Sequence, residues 1–434
     1  MDSKILDTKW LHPKDQIVIA ISRIYNRGLT TTSGGNLSIL DENGDLWITP
    51  SGVDKGSLNA SDIMCVTKEG QIIGKHKPSS EFPFHRAIYN QRPDIKAIIH
   101  AHPPALVSFS IVRQIPDTNV TYQTKHVCGP IGYADYELPG SQKLGDKIAE
   151  EFAKGYMAII MENHGTVLGG SDLADAFERF ETLEFCAKTL LSAKIIGEPH
   201  CLTDEEIQYY IAQRPNDFPE METVAHPSDE RALRSEICNI VHRACAHGFM
   251  FSAIGTVSAR WRGNDFLITP TEISRWDMTP ADIVQIKDKQ SEPGKQASHL
   301  ARLHQKIYEQ NPDINCIIFS QPTNLMAFGA TKKYFDVRTI PESWIFLQDV
   351  ASLPFEVFLE EKTDELLDQL KKGATAVLIQ NGSFMVTGKT LLQTFDYLEV
   401  AEFSAKSLVM GAPMGNMVPI NDAQVEELRG AFLK

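Results

Sequence analysis

Apolar residues recur along the first half of the chain with two alternating periods. In QIVIAISRIYNRG (16–28) they fall at helical spacing, with Gly28 placed to stop the helix. NLSILDENGDLWITPSG (36–52) alternates, breaks at the polar DENGD and alternates again, which predicts a hairpin. FPFHRAIYNQRPDI (82–95) returns to helical spacing and ends near Pro93, because the residue before a proline leaves the helical region. IKAIIHAH (95–102) follows as a strand. YMAIIMENHGTVLGG (156–170) reads as strand, tight polar turn and strand. DLADAFERFETLEFCAKTLLSAKIIG (172–197) is a long amphipathic helix with Gly197 near its stop. GYADYELPGS (132–141), which holds Tyr133 and Tyr136, shows neither period and reads as loop.

The same order then returns at an offset of 218 to 220 residues. NLSILDENGDLWITPSG is echoed by TVSARWRGNDFLITPTE, and FHRAIYNQRPDIKAIIHAHP by LHQKIYEQNPDINCIIFSQP. ENHGTVLGG is echoed by QNGSFMVTG, and TLEFCAKTL by VAEFSAKSL. Shared order and small drift predict a duplicated domain: residues 1–200, a polar, proline-bearing linker at 201–230, and residues 231–434.

Composition narrows the partners. The 434 residues carry a net charge of −14 and no long Lys/Arg run, which argues against nucleic acid. No apolar run is long enough to span a membrane, and the start, MDSKILDTKWLHPKDQ, has no leader-like apolar stretch. None of the seven cysteines forms a CxxC pair, so they read as reduced thiols of a cytoplasmic protein.

The two copies differ where chemistry would sit. His100 and His102 share one strand face, since strand side chains have period two, and their imidazoles can converge on one ion. Two residues of one strand cannot surround a metal, so a third ligand must come from elsewhere; His164, in the ENHG turn, is the candidate. The second copy has Phe319, Gln321 and Gly382 at these positions. Three distant histidines lost as a set behave as ligands of one ion. His85 keeps a counterpart in His304, as a structural residue would. Glu81 opens the helix before the HxH strand, where a carboxylate can be a plain cap; it becomes Leu300, which makes it a candidate general acid/base instead. Three stretches could cradle a phosphate through backbone N–H and hydroxyl groups: Gly35 and Asn36 in SGGNLS, Ser51 and Gly52 in TPSG, and Ser79 and Ser80 in PSSE. In the second copy GGN becomes IGT and PSG becomes PTE, and a glutamate repels a dianion.

GGNLS, ITPSG, SSE, HAHP, YELPGS and NHG, in this order, resemble the class II aldolase/adducin family. The resemblance implies a three-layer α/β/α domain with a central, largely antiparallel sheet, here present twice. It implies that His100, His102 and His164 hold a divalent metal, Zn²⁺, that Glu81 is the acid/base, and that the glycine, asparagine and serine positions above hold a substrate phosphate. It also implies a tyrosine that protonates the aldehyde, which Tyr136 matches. The implied reaction is reversible aldol cleavage of a ketose 1-phosphate to dihydroxyacetone phosphate and an aldehyde. Dehydratases, sugar-acid phosphate decarboxylases and 4-epimerases share the fold; the epimerases carry aspartate where Glu81 stands. Members are usually symmetric tetramers with sites between subunits, so a dimer of two-domain chains is the expected homo-oligomer. A non-catalytic, adducin-like interaction module is the rival reading, and it fits the second half alone.

Overall fold

The computed structural model describes residues 10–213 and 218–433. The first residues, where no leader is expected, and 214–217 of the expected linker lie outside the described residues. The chain divides into two compact units, Met1–Thr118 with Gln123–Lys188, and Asn119–Tyr122 with Thr189–Lys434.

The first half of the sequence runs α1 (Pro13–Asn26), β1 (Asn36–Leu40), β2 (Leu46–Ile48), β3 (Met64–Val66), β4 (Ile72–Ile73), α2 (Phe82–Gln91), β5 (Ala97–Ala101), α3 (Pro104–Ile111), α4 (Tyr122–Cys128), β6 (Gly132–Ala134), α5 (Gln142–Ala153), β7 (Ala158–Met161), β8 (Gly165–Gly170), α6 (Leu173–Ile196) and α7 (Asp204–Ala212), with α7 and the end of α6 belonging to the second unit. Its eight strands form one sheet, ordered β4-β3-β2-β1-β5-β8-β7-β6. The pairs are antiparallel except β6 with β7, which is parallel.

The hairpin is set by its turn. Asp41 Oδ1 accepts from the N–H groups of Asn43 and Asp45, at 2.9 and 3.0 Å, and Gly44 takes φ +87°. Helix α5 starts where the Ser141 hydroxyl accepts from Leu144 N at 3.1 Å. Pro103 and Pro104 end β5 and open α3, where a missing N–H costs nothing. One face of the sheet packs Ile98, Ile159 and Val167 against Phe84 and Ile88 of α2 and Ile148 and Phe152 of α5. Helices α1 and α3 contact β1 and β8.

Two segments differ from the sequence reading. Tyr133 lies in a strand, β6, rather than a loop. Three residues are too few to show a period, and a parallel partner leaves no hairpin signal. The expected linker contains α7, opened by a capping box in which Thr203 and Glu206 each satisfy the other's backbone N–H.

The second half repeats the order: α8 (Ser228–Ala246), β9 (Thr256–Arg262), β10 (Asp265–Ile268), β11 (Val284–Lys287), β12 (Gln290–Ser291), α9 (Ala301–Gln310), β13 (Cys316–Ser320), α10 (Thr323–Thr331), α11 (Pro341–Leu347), β14 (Ala351–Leu353), α12 (Asp364–Lys371), β15 (Ala376–Ile379), β16 (Ser383–Gly388), α13 (Leu391–Gly411) and α14 (Asp422–Phe432). Its sheet, β12-β11-β10-β9-β13-β16-β15-β14, matches the first strand for strand. Each half is thus an α/β domain with a central mixed sheet flanked by helices. No helix among the described residues is long and apolar enough to cross a membrane.

Candidate metal centre

Register gathers the candidate residues at one end of the first sheet. Asn36, at the start of β1, stands opposite His100 near the end of β5. His164 immediately precedes β8, whose Thr166 stands opposite Ala101. The left-handed Asn163, φ +52°, makes the ENHG turn, and His164 N donates to Met161 O at 3.1 Å. TPSG and PSSE are zipped together by Ser51 N to Lys77 O, 2.9 Å, and Ser79 N to Thr49 O, 3.1 Å.

The three imidazoles converge: one ligand atom from each of His100, His102 and His164 lies within 4.8 Å of the others. His100 is fully buried, and its Nδ1 lies 2.9 Å from Thr166 O. A carbonyl only accepts, so Nδ1 carries a hydrogen, and Nε2 is the atom His100 can offer to a cation. That atom lies 3.0 Å from His102 Nε2 and 3.1 Å from Glu81 Oε2. His164 Nε2 lies 3.5 Å from Glu81 Oε1, which has no hydrogen-bond partner among the described residues. Three imidazole nitrogens close enough to share one ion, beside a buried carboxylate oxygen without a hydrogen-bond partner among the described residues, fit a divalent cation. Burial, followed by the charge of His100, holds the pKa of His102 down to about 3 and that of His164 to about 4. His100 is held above its ordinary value: burial opposes this, but the Glu81 carboxylate outweighs it.

Glu81 is the first residue before α2, yet its side chain makes no capping bond. It turns inward, where Asn36 Nδ2 donates to Oε2 at 2.7 Å. Burial favours its neutral form; the attraction of His100, then of His164 and the Asn36 bond, outweighs this and keeps it ionised well below the usual carboxylate range.

Gly34 and Gly35, φ +71°, let the loop before β1 lie on the HxH strand: a Cβ on Gly34 would stand 2.8 Å from His102 Nδ1, and one on Gly35 2.8 Å from His100 O. The Asn36 side chain, expected at a phosphate, is engaged at both ends, by Glu81 and by His85 Nε2. Ser79 is buried, and its hydroxyl accepts from Glu81 N at 3.3 Å; Ser51, Gly52 and Ser80 are exposed. Tyr136 is 56% exposed. Its backbone N–H donates to Glu162, and its phenol makes no hydrogen bond among the described residues.

A connection that sequence reasoning missed runs behind the site, from Tyr89 through Ser38 and His85 to Asn36. The signal was present: Ser258, His304 and Tyr308 repeat its members in the second half.

In the second half the same place is filled. Phe319 is buried with its ring centroid 6.1 Å from that of Phe358. A Cβ on Gly382 would meet Phe358 Cε2 at 2.5 Å. Gln321 Nε2 donates to Gly382 O at 2.6 Å.

A family model described as class II aldolase and adducin N-terminal domain matches residues 15–191 and again 235–409. A 5-deoxy-D-ribulose 1-phosphate aldolase of Bacillus thuringiensis serovar kurstaki is 33% identical over 198 residues, 45% of this chain and 92% of that protein. A 3-oxo-tetronate 4-phosphate decarboxylase of Haemophilus influenzae is 33% identical over 202 residues, 44% of this chain and 93% of its own. An L-fuculose phosphate aldolase of Methanocaldococcus jannaschii is 36% identical over 178 residues, 41% of this chain and 95% of its own.

Proposed function

We propose a function from one premise: the chain belongs to the class II aldolase and adducin family, whose domain it carries twice. The first domain is a metal-dependent lyase that cleaves a ketose 1-phosphate to dihydroxyacetone phosphate and an aldehyde, with zinc as its cation. The observation that carries this reading is the convergence of three imidazoles and one buried carboxylate, turned away from the helix it opens.

His100, His102 and His164 would hold the cation. When bound, it would supply Lewis-acid charge at the substrate's carbonyl and neighbouring hydroxyl oxygens. Glu81 handles a proton. As the C3–C4 bond breaks, its electrons pass to C3, beside the carbonyl. In the synthetic direction the ionised Glu81 carboxylate takes the proton from C3; in cleavage the proton released by the C4 hydroxyl, passed on through solvent, forms the Glu81 carboxyl that gives C3 its proton. The C4 hydroxyl loses its proton as the aldehyde forms, and Tyr136 is the proposed partner for that exchange. Gly35, Ser51, Gly52, Ser79 and Ser80, at the same end of the sheet, offer N–H and hydroxyl groups to the phosphate; Asn36 contributes there only through its backbone.

A second reading has its own support, the 33% identity to a 3-oxo-tetronate 4-phosphate decarboxylase. There carbon dioxide leaves, the bond electrons again pass to the carbon beside a carbonyl, and Glu81 relays a proton from solvent to it.

The test is a metal-replete assay over pentulose and hexulose 1-phosphates and 3-oxo sugar-acid phosphates. Release of dihydroxyacetone phosphate supports the aldolase, and release of carbon dioxide alone moves the assignment to the decarboxylase. With the true substrate, Glu81→Gln keeps the metal and loses roughly a hundredfold or more in kcat. His102→Ala loses the metal itself, read by elemental analysis. Full turnover by Glu81→Gln refutes the acid/base role.

A further inference from the structure

We propose that His85 is a positioning residue for Glu81. Through Asn36 it fixes which end of the amide faces the carboxylate, and so keeps Glu81 turned into the imidazole cluster. The proposal rests on reading Glu81 as the proton carrier.

Tyr89, Ser38, His85 and Asn36 are all buried. Tyr89 Oη lies 2.8 Å from Ser38 Oγ and 3.1 Å from Ser38 O; Ser38 Oγ lies 2.7 Å from His85 Nδ1. His85 Nε2 meets Asn36 Oδ1, and Asn36 Nδ2 meets Glu81 Oε2. Burial, with the nearby charge of His100, pushes the His85 pKa down to about 3, so the neutral ring has a single N–H to give. Two proton patterns can be written. In the first, Tyr89 donates to Ser38, Ser38 to Nδ1, Nε2–H to the Asn36 carbonyl, and the Asn36 amino group to the carboxylate. In the second, Nδ1–H donates to Ser38, and the amide turns over to donate to Nε2. That would put its carbonyl oxygen 2.7 Å from Glu81 Oε2, in the place where the amino group donates. Only the first pattern keeps the Asn36 amino group on Glu81 Oε2, and His85 locks it.

The second domain separates this role from packing. Tyr308 lies 2.7 Å from Ser258, and Ser258 lies 2.6 Å from His304 Nδ1, so the inner part is repeated. Thr256 replaces Asn36, and its hydroxyl turns to Ser298 at 2.8 Å. Leu300 replaces Glu81, and His304 Nε2 has no hydrogen-bond partner among the described residues. The same three residues have nothing to orient there.

The test compares His85→Phe with His304→Phe in the metal-replete full chain. Both keep a ring and lose the serine bond. His85→Phe is expected to lower kcat roughly a hundredfold while metal content holds. Its KM should stay within about twofold. His85→Gln, which restores an N–H toward Asn36, should recover part of the loss, and His304→Phe should leave kcat unchanged. Wild-type kcat in His85→Phe, or equal losses in both variants, overturns the proposal. Two readouts need no turnover. A crystal structure of His85→Phe should show Glu81 moved onto the first N–H groups of α2; an unmoved carboxylate overturns the positioning. NMR of isotope-labelled histidine in the wild-type protein should find His85 protonated at Nε2, and protonation at Nδ1 overturns it without any variant. If Glu81→Gln keeps turnover, the acid/base reading fails, and these two readouts still decide whether His85 places the carboxylate.

Discussion

Gly34 shows how closely the site constrains single residues. A Cβ there would come 2.8 Å from both His102 Nδ1 and Thr31 Oγ1, far inside van der Waals contact, so even alanine must push the imidazole or the loop. In the second half the residue at this position is Ile254, beside a strand where Gln321 replaces the histidine. Gly34→Ala is therefore expected to weaken metal binding roughly tenfold, the scale on which groups that hold a ligand in place act. A chelator-competition titration reads it, and unchanged affinity would reject the claim that the loop sets the His102 ring. The histidine set was legible in the sequence because three residues vanish together in the second copy. The Asn36–His85 contact was not. Its partners stand 49 residues apart, and no local pattern links a strand to a helix face across that distance.

At the scale of elements, periodicity and turn chemistry were enough to place the hairpin, α2, β5 and α6. They failed where a segment was short, as in β6, or where a helix depends on a distant partner. Helix α10 is such a case. Pro322 precedes it with no side chain able to cap, so its first N–H groups need an acceptor from elsewhere. Glu402 of α13 supplies it, accepting from Asn324 N at 3.1 Å, Leu325 N at 3.0 Å and Asn324 Nδ2 at 2.7 Å. Burial nevertheless pushes its pKa up to about 7; the bonds from Asn324 and Leu325, and Lys406, oppose this only in part. A folded-state pKa above the ordinary value means ionisation costs the folded state. The contribution to stability is full below the unfolded-state pKa, near 4.5, and is lost as pH rises through about 7. Melting temperature should therefore fall across this window, and Glu402→Gln should flatten the fall. Glu402→Ala, which strands two helix N–H groups, is expected to cost about 2–3 kcal/mol at low pH in urea unfolding. An alanine variant as stable as wild type would show that water or another group caps α10.

For the whole molecule, the duplication has one consequence that can be counted. Both halves keep the eight-stranded order and their own buried cores, but Phe319 and the Phe358 ring fill the place in the second half where three imidazoles meet in the first. The chain should therefore bind one metal ion per polypeptide. Restoring the ligands as Phe319→His, Gln321→His and Gly382→His should not add a second, because a side chain at 382 collides with Phe358. Titration with zinc and elemental analysis give the count, and two ions in the wild-type chain would end this reading. The retained framework needs a reason once its chemistry is gone. The resemblance implies symmetric tetramers with sites between subunits, and a fused domain stripped of ligands can serve as the neighbour that such a site requires. Two chains would then supply four domains and two working sites. The expected mass in solution is that of a dimer, with turnover falling on dilution as the chains separate. A monomer with full activity at every concentration would show that the second domain is not borrowed as a subunit.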